Sequence, residues 1–164
     1  MPIPLIIPAL FLLAAQGVPD AVELTPGVLV LKGSPTATTY AALKAAKITH
    51  VINLRRDTEP GFDPDEENAA LGALGINYVR LAMSRAPSRP DLDLFRDIVK
   101  GLPEGSRILV HCDDGNRASA AVCAYLVLDK GIAAESAISE AKHAGLRYPD
   151  TERALRHYLD RAGG

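Results

Sequence analysis

Short apolar runs recur along the chain, separated by stretches in which apolar residues return every third or fourth position. Gly27-Val28-Leu29-Val30-Leu31, His50-Val51-Ile52-Asn53-Leu54, Asn77-Tyr78-Val79-Arg80-Leu81 and Arg107-Ile108-Leu109-Val110 are rich in β-branched and aliphatic residues and predict strands. The last run is apolar throughout, as expected of a central strand covered on both faces. Helices are predicted over 38–47, where Tyr40, Leu43 and Ala46 share a face, over 66–74, stopped by Gly75, and over 91–100, where Leu92, Phe95 and Val99 share a face. Further helices are predicted over 117–130, closed by Gly131, and near 135–143 and 150–159. Gly33-Ser34-Pro35-Thr36 forms a turn running into an N-cap. Alternating strands and helices predict an α/β fold with a mostly parallel central sheet flanked by helices.

Ile3 to Ala15 breaks this pattern with one uncharged apolar run, followed by Gln16-Gly17 and small residues. The run has the length of the hydrophobic region and cleavage site of a secretory signal peptide and is too short to span a bilayer. It predicts a leader over residues 1–17, an exported protein of the periplasm or the extracellular space, and no stable membrane span once the leader is removed. At 164 residues and 48% hydrophobic content, the remainder, 18–164, is one domain with an ample core. A net charge of −2 and the absence of Trp give no footprint for nucleic acid, so any anion recognition must be local. Cys112 falls in a predicted loop and Cys123 inside the following helix, too far apart for a disulfide. Both are therefore expected as free thiols, Cys123 as a small buried hydrophobe.

The local candidate is Val110-His111-Cys112-Asp113-Asp114-Gly115-Asn116-Arg117-Ala118. A strand, a Cys-x-x-Gly-x-Arg loop and a helix N-terminus together cradle an anion, because backbone N–H groups turn inward where the helix dipole adds positive charge. Arg117 offers a planar fork for phosphate or sulfonate oxygens. The same field is expected to lower the pKa of Cys112 and make it a nucleophilic thiolate. Gly115 permits a backbone conformation that side chains resist, and His111 is expected to orient the loop through hydrogen bonds. Asp113 and Asp114 put two carboxylates beside the anion. A like-charge contact at about 4 Å costs on the order of 4 kcal/mol at an effective dielectric near 20. They are expected to point outward into solvent, with pairing to arginines or a part in proton transfer as alternatives. Arg55 and Arg56, at the end of a strand, are further candidates for substrate contact.

At these residues the chain resembles the cysteine-based protein tyrosine and dual-specificity phosphatases, whose signature is His-Cys-x5-Arg-Ser/Thr. More closely it resembles an exported bacterial branch described as beta-lactamase-hydrolase-like or dual-specificity-phosphatase-like, with loops of the form His-Cys-x-Ser-Gly-Asn-Arg. The likeness extends to Thr25-Pro26-Gly27-Val28, Gly33-Ser34-Pro35-Thr36, Val51-Ile52-Asn53-Leu54-Arg55, Gly75-Ile76-Asn77-Tyr78-Val79 and Ala144-Gly145-Leu146. The resemblance implies that 18–164 is a phosphatase-like catalytic domain. It makes Cys112 the nucleophile, Arg117 the anion-binding arginine, and the backbone from Asp113 through Asp114, Gly115 and Asn116 to Ala118 the cradle. The substrate it implies is a phosphorylated protein or a small phosphate ester, attacked without cofactor or metal through a thiophosphate intermediate.

The chain departs from the signature in its spacing: four residues separate Cys112 from Arg117 where phosphatases have five. Rhodanese-type sulfurtransferases share the shorter spacing, so a Cys112 persulfide fed by a sulfur donor is the alternative reading, and an anion-binding module without turnover is a second. The phosphatase general acid would fall near Ser84, where no acid stands. Asp91 and Asp93 follow in the same connection, Asp91 being an equally good N-cap for its helix.

Overall fold

The computed structural model describes residues 17–162. Its strands are β1 (Ala21–Thr25), β2 (Val28–Leu31), β3 (His50–Asn53), β4 (Asn77–Arg80) and β5 (Ile108–His111). Its helices are α1 (Ala37–Leu43), α2 (Pro64–Ala73), α3 (Arg89–Gly101), α4 (Asn116–Leu128), α5 (Ala134–Ala144) and α6 (Pro149–Ala162). The strands form one sheet in the order β1-β2-β5-β3-β4, with β2, β5, β3 and β4 parallel and β1 antiparallel at the edge. This is the expected mostly parallel sheet flanked by helices. The expected leader lies, apart from Gly17, outside the described residues. Among the described residues no helix is long and apolar enough to cross a membrane.

β1 was not among the expected strands. Its Val-Glu-Leu-Thr alternation is short, and its residues are only half-buried because one neighbour, β2, is all that pairs with it. Pro26 and Gly27 make the turn between them.

Alternation along the central strands assigns their side chains to two apolar layers. Val28, Val30, Ile52, Ile108 and Val110 pack against α3 to α6, while Leu29, Leu31, Val51 and Leu109 pack against the α1 and α2 side with Leu43 and Leu71. β2, β3 and β5 are buried at every position, which is why they read as nearly continuous apolar runs. α4 lies deepest of the helices, buried from Asn116 to Leu126, and its small residues Ala118, Ala120, Ala121 and Ala124 allow close approach to α5 and α6. α3 buries the predicted Leu92, Phe95 and Val99 face.

Strand β5 enters the sheet between β2 and β3, which precede it in sequence, so the chain order switches beside it. In open parallel sheets a crevice forms at the carboxyl ends of strands at such a switch. The loop that leaves β5 there is the one bearing Cys112.

Candidate active site

Loop 112–115 carries the chain from the buried β5 directly into α4, and Gly115 at the N-cap has φ +84° and ψ −9°. A Cβ at this position would lie 3.0 Å from the Leu31 carbonyl oxygen, 3.0 Å from Lys32 Cα and 3.1 Å from the Ala144 carbonyl oxygen. Gly145 packs on the same spot, where its own Cβ would come within 3.0 Å of the Gly115 carbonyl carbon. Two glycines back to back let the loop bend sharply, and the Gly115 amide then donates to Cys112 Sγ at 3.2 Å. The Gly115 amide thus turns inward, as expected of the loop.

Cys112 is fully buried and free, as is Cys123. The expectation of a lowered Cys112 pKa is overturned. Burial pushes the thiol above its ordinary value and outweighs the amides and the Arg117 charge, while the Asp114 carboxylate adds to the upward push. Cys123, among apolar side chains of α4, is pushed up to about 12 by burial.

Arg117 projects from the first turn of α4 and is 5% exposed. Its Nη1 donates to Glu59 Oε2 at 2.6 Å and to the Met83 carbonyl at 3.0 Å, and its Nη2 donates to Glu59 Oε1 at 2.7 Å and to Asp113 Oδ1 at 2.8 Å. Burial opposes the charge, but the two carboxylates more than offset it and hold the guanidinium protonated. Glu59 in turn sits below the ordinary carboxylate range because Arg117 donates to it. The fork is therefore aimed into the cleft by a bidentate partner from the β3–α2 loop.

The two loop carboxylates do not simply point into solvent. Asp113 is half-exposed but paired with Arg117. Asp114 turns inward, because the free amide of Asn116 at the helix start draws its Oδ1 to 3.0 Å and Arg147 Nη2 holds its Oδ2 at 2.8 Å. Its Oδ1 then lies 3.6 Å from Cys112 Sγ. The like-charge penalty is thus met by ion pairing.

Asn116 was expected to lend its backbone to the cradle, and its side chain is engaged elsewhere. It donates to Thr151 Oγ1 at 2.7 Å and accepts from the amides of Arg147 and Tyr148 at 3.0 and 3.2 Å, tying the α5–α6 connection to the loop. Thr151 Oγ1 in turn donates to the Arg85 carbonyl at 2.6 Å, which adds the β4–α3 connection. His111 does orient the loop: its Nε2 lies 2.7 Å from Glu67 Oε1 and its Nδ1 3.2 Å from the Cys112 carbonyl oxygen. Glu67, on α2, also accepts from Asn53 at 2.8 Å and from Tyr78. Burial pushes the Glu67 carboxyl up, and these donors together still bring it below the ordinary range.

Arg55 is buried, donates to Ser34 Oγ at 3.1 Å and to the Pro60 carbonyl at 2.6 Å, and stacks on Phe62 at 4.5 Å. Its guanidinium braces the β3–α2 loop and lines a cavity with Ser34, Tyr40, Glu67 and His111. Arg56 does line a cleft beside the cysteine loop, an opening of about 440 Å³ shared with Glu59, Arg85, Asp113, Asp114 and Arg117. Asp91 neither caps α3 nor stands free. Ser88 is the N-cap, and Asp91 at the third helical position accepts from the Ser88 amide at 3.0 Å and hydroxyl at 2.8 Å, closing a capping box. Glu59, Glu67, Arg147 and Thr151 were not anticipated; the Pro/Gly/Asp-rich loop around Glu59 was the one signal for any of them.

A buried cysteine met by an inward loop amide, an arginine on the first helical turn and a parallel sheet ending beneath them define the cysteine-based phosphatase class. A family model for the polymorphic toxin system DSP-PTPase phosphatase matches residues 27–131. The chain belongs to that family and is a phosphatase of the tyrosine and dual-specificity type. Among solved structures it is similar to a DUF442 phosphatase of Shewanella putrefaciens CN-32, at 26% identity and TM-score 0.73, covering 91% of this chain and 94% of that one. P. aeruginosa TpbA, in a cysteine-to-serine form in complex with phosphotyrosine, shares the fold at 20% identity and TM-score 0.65, covering 85% and 82%. The core catalytic domain of the PP-IP phosphatase SIW14 of S. cerevisiae does so at 16% identity and TM-score 0.67, covering 88% and 93%. No curated protein sequence matches the chain.

Proposed function

We propose that Cys112 is the nucleophile of this phosphatase and that its substrate is a phosphomonoester on a protein side chain or a small molecule. Sulfur attacks phosphorus, the ester oxygen departs, and water then releases phosphate from the S-phosphocysteine. Arg117 and the loop amides stabilise the equatorial oxygens, with Glu59 keeping the guanidinium in place. The observation that carries this reading is the Gly115 amide donating to Cys112 Sγ at 3.2 Å in the loop whose following helix turn holds Arg117 at a cleft. The phosphotyrosine in the TpbA structure supports an aryl phosphate as the first substrate to try.

Hydrolysis of an aryl phosphate, lost in Cys112→Ser, is the expected result. The four-residue spacing from Cys112 to Arg117 favours one second reading, sulfur transfer. Release of sulfur from thiosulfate to cyanide or a thiol, with a mass gain of one sulfur on Cys112 and no ester hydrolysis, would replace phosphoryl transfer by it. Retained anion binding without either turnover would make the site a binding module. Export rests on the apolar run of residues 3–15. Sequencing the N-terminus of the protein recovered outside the cytoplasm tests it, and an intact Met1 on a cytosolic protein refutes it.

A further inference from the structure

We infer that the substrate carries its phosphoryl group on an oxygen that departs as a stable anion, in an anhydride with a carboxylic or a phosphoric acid. The inference rests on the phosphatase reading above and specifies the leaving side of that substrate. A general acid must hold its proton before the reaction, and a carboxylate paired with a guanidinium is held in its ionised form. Among the described residues, each carboxylate lining the cleft beside the cysteine loop has such a partner. Glu59 and Asp113 share Arg117 at 2.6 and 2.8 Å, Asp114 takes Arg147 at 2.8 Å, and Asp150 takes Arg85 at 3.1 Å. The β4–α3 connection reaches the site without bringing an acid to it. The Met83 carbonyl accepts from Arg117 at 3.0 Å, which puts position 84 beside that guanidinium, but Ser84 stands there and its hydroxyl donates to the Ala86 carbonyl at 2.7 Å. Further along, Asp91 is closed in the capping box with Ser88, and Asp93 accepts from the Tyr158 hydroxyl at 2.6 Å. The cleft presents cations instead: Arg56 and Arg85 line it and expose more than half of their side chains. A guanidinium stabilises a departing anion but gives up no proton to it.

Both chemical steps close without an acid. Cys112 attacks as the thiolate, the S–P bond forms, and the P–O bond breaks with its electron pair on the leaving oxygen. That oxygen departs as part of a carboxylate or a phosphate, each a stable anion at neutral pH. Water oxygen then bonds to phosphorus and the S–P pair returns to sulfur. The products are the thiolate and dihydrogen phosphate, which exchanges its proton with solvent. An alcohol such as the serine hydroxyl would have to leave as an alkoxide, and the missing proton would cost about 10² to 10⁴-fold in rate.

The test uses the full chain, with Cys112→Ser as the background for spontaneous hydrolysis. It measures kcat/KM, which reports the first step, on dinitrophenyl, nitrophenyl and phenyl phosphate, three aryl esters that differ chiefly in the basicity of the leaving oxygen. Acetyl phosphate, pyrophosphate and serine phosphate complete the set. From dinitrophenyl to phenyl phosphate a fall of more than about 10²-fold is expected, the least that a general acid would have recovered. At least one anhydride is expected to turn over as fast as nitrophenyl phosphate, acetyl phosphate marking a carboxylate and pyrophosphate a phosphate as the leaving group. Serine phosphate is expected to be the slowest of the six. A fall smaller than about 10²-fold overturns the inference and leaves the phosphatase reading standing, with Tyr148, whose hydroxyl is the only side-chain O–H among the described residues lining the cleft, as the proton donor. Failure to turn over either anhydride, or serine phosphate cleaved as fast as they are, overturns it too. Absence of Cys112-dependent hydrolysis of all six compounds overturns the phosphatase reading itself, and the inference falls with it.

Discussion

Replacing Gly115 by alanine adds one methyl group at the tightest point of the loop, and the structure sets its cost. The backbone there has φ +84°, a left-handed conformation that costs an L-residue with a Cβ about 1–2 kcal/mol. The new Cβ would also lie 3.0 to 3.1 Å from the Leu31 and Ala144 carbonyl oxygens and Lys32 Cα, all of them backbone atoms that cannot swing aside. Forcing a methylene into such a contact costs about 1–3 kcal/mol more. Gly115→Ala is therefore expected to destabilise by about 2–5 kcal/mol, combining these two contributions. Gly72, inside α2, supplies the control: no atom lies within 4 Å of its added Cβ, so Gly72→Ala is expected to stabilise by about 0.5–1 kcal/mol. Urea unfolding at pH 7, with the slope checked for constancy, measures both. Because the Gly115 amide donates to Cys112 Sγ, the first variant is also expected to lose activity on an aryl phosphate while the second keeps it. A Gly115→Ala protein within about 0.5 kcal/mol of the parent, the range of an ordinary surface substitution, would refute the reasoning. So would two changes of the same sign.

Asn116→Ala strips a buried acceptor from the Arg147 and Tyr148 amides and a donor from Thr151, and a loss of about 2–4 kcal/mol by denaturant unfolding is expected. Arg117→Lys keeps the charge but not the fork held by Glu59. About 10² to 10³-fold lower kcat is expected, as for loss of one preorganised donor, with the stopped-point assay on nitrophenyl phosphate as the check. Glu67 gives a pH-dependent prediction: its folded pKa lies below the ordinary value of 4.5, so its contribution is full above pH 4.5 and lost as pH falls through the folded value. The stability gap between the parent and Glu67→Gln, from urea midpoints at pH 7, 4 and 3, is expected to be widest at pH 7 and to narrow on acidification; a constant gap would refute it.

The parts of the site legible in the sequence are those whose causes lie within a few residues. The β5 run, the glycine at the bend and the arginine one turn into α4 all act over fewer than ten positions, and each stands where the residues predicted it. Even Asp91 followed a local rule, since Ser88 three positions earlier was the better cap. What could not be read comes from partners far along the chain: Glu59 reaches Arg117 across 58 positions and Glu67 reaches His111 across 44. The reversed pKa of Cys112 has the same origin. Amides, helix start and Arg117 are local and do pull it down, but burial is supplied by the sheet and the neighbouring helices, and it outweighs them. A loop considered alone therefore suggests a resting thiolate with two stray carboxylates beside it. Folded, it is a buried sulfur facing one clamped carboxylate, with the other carboxylate bound to Arg117. A dianionic substrate entering that site meets an arginine whose fork is already shared with Glu59 and Asp113.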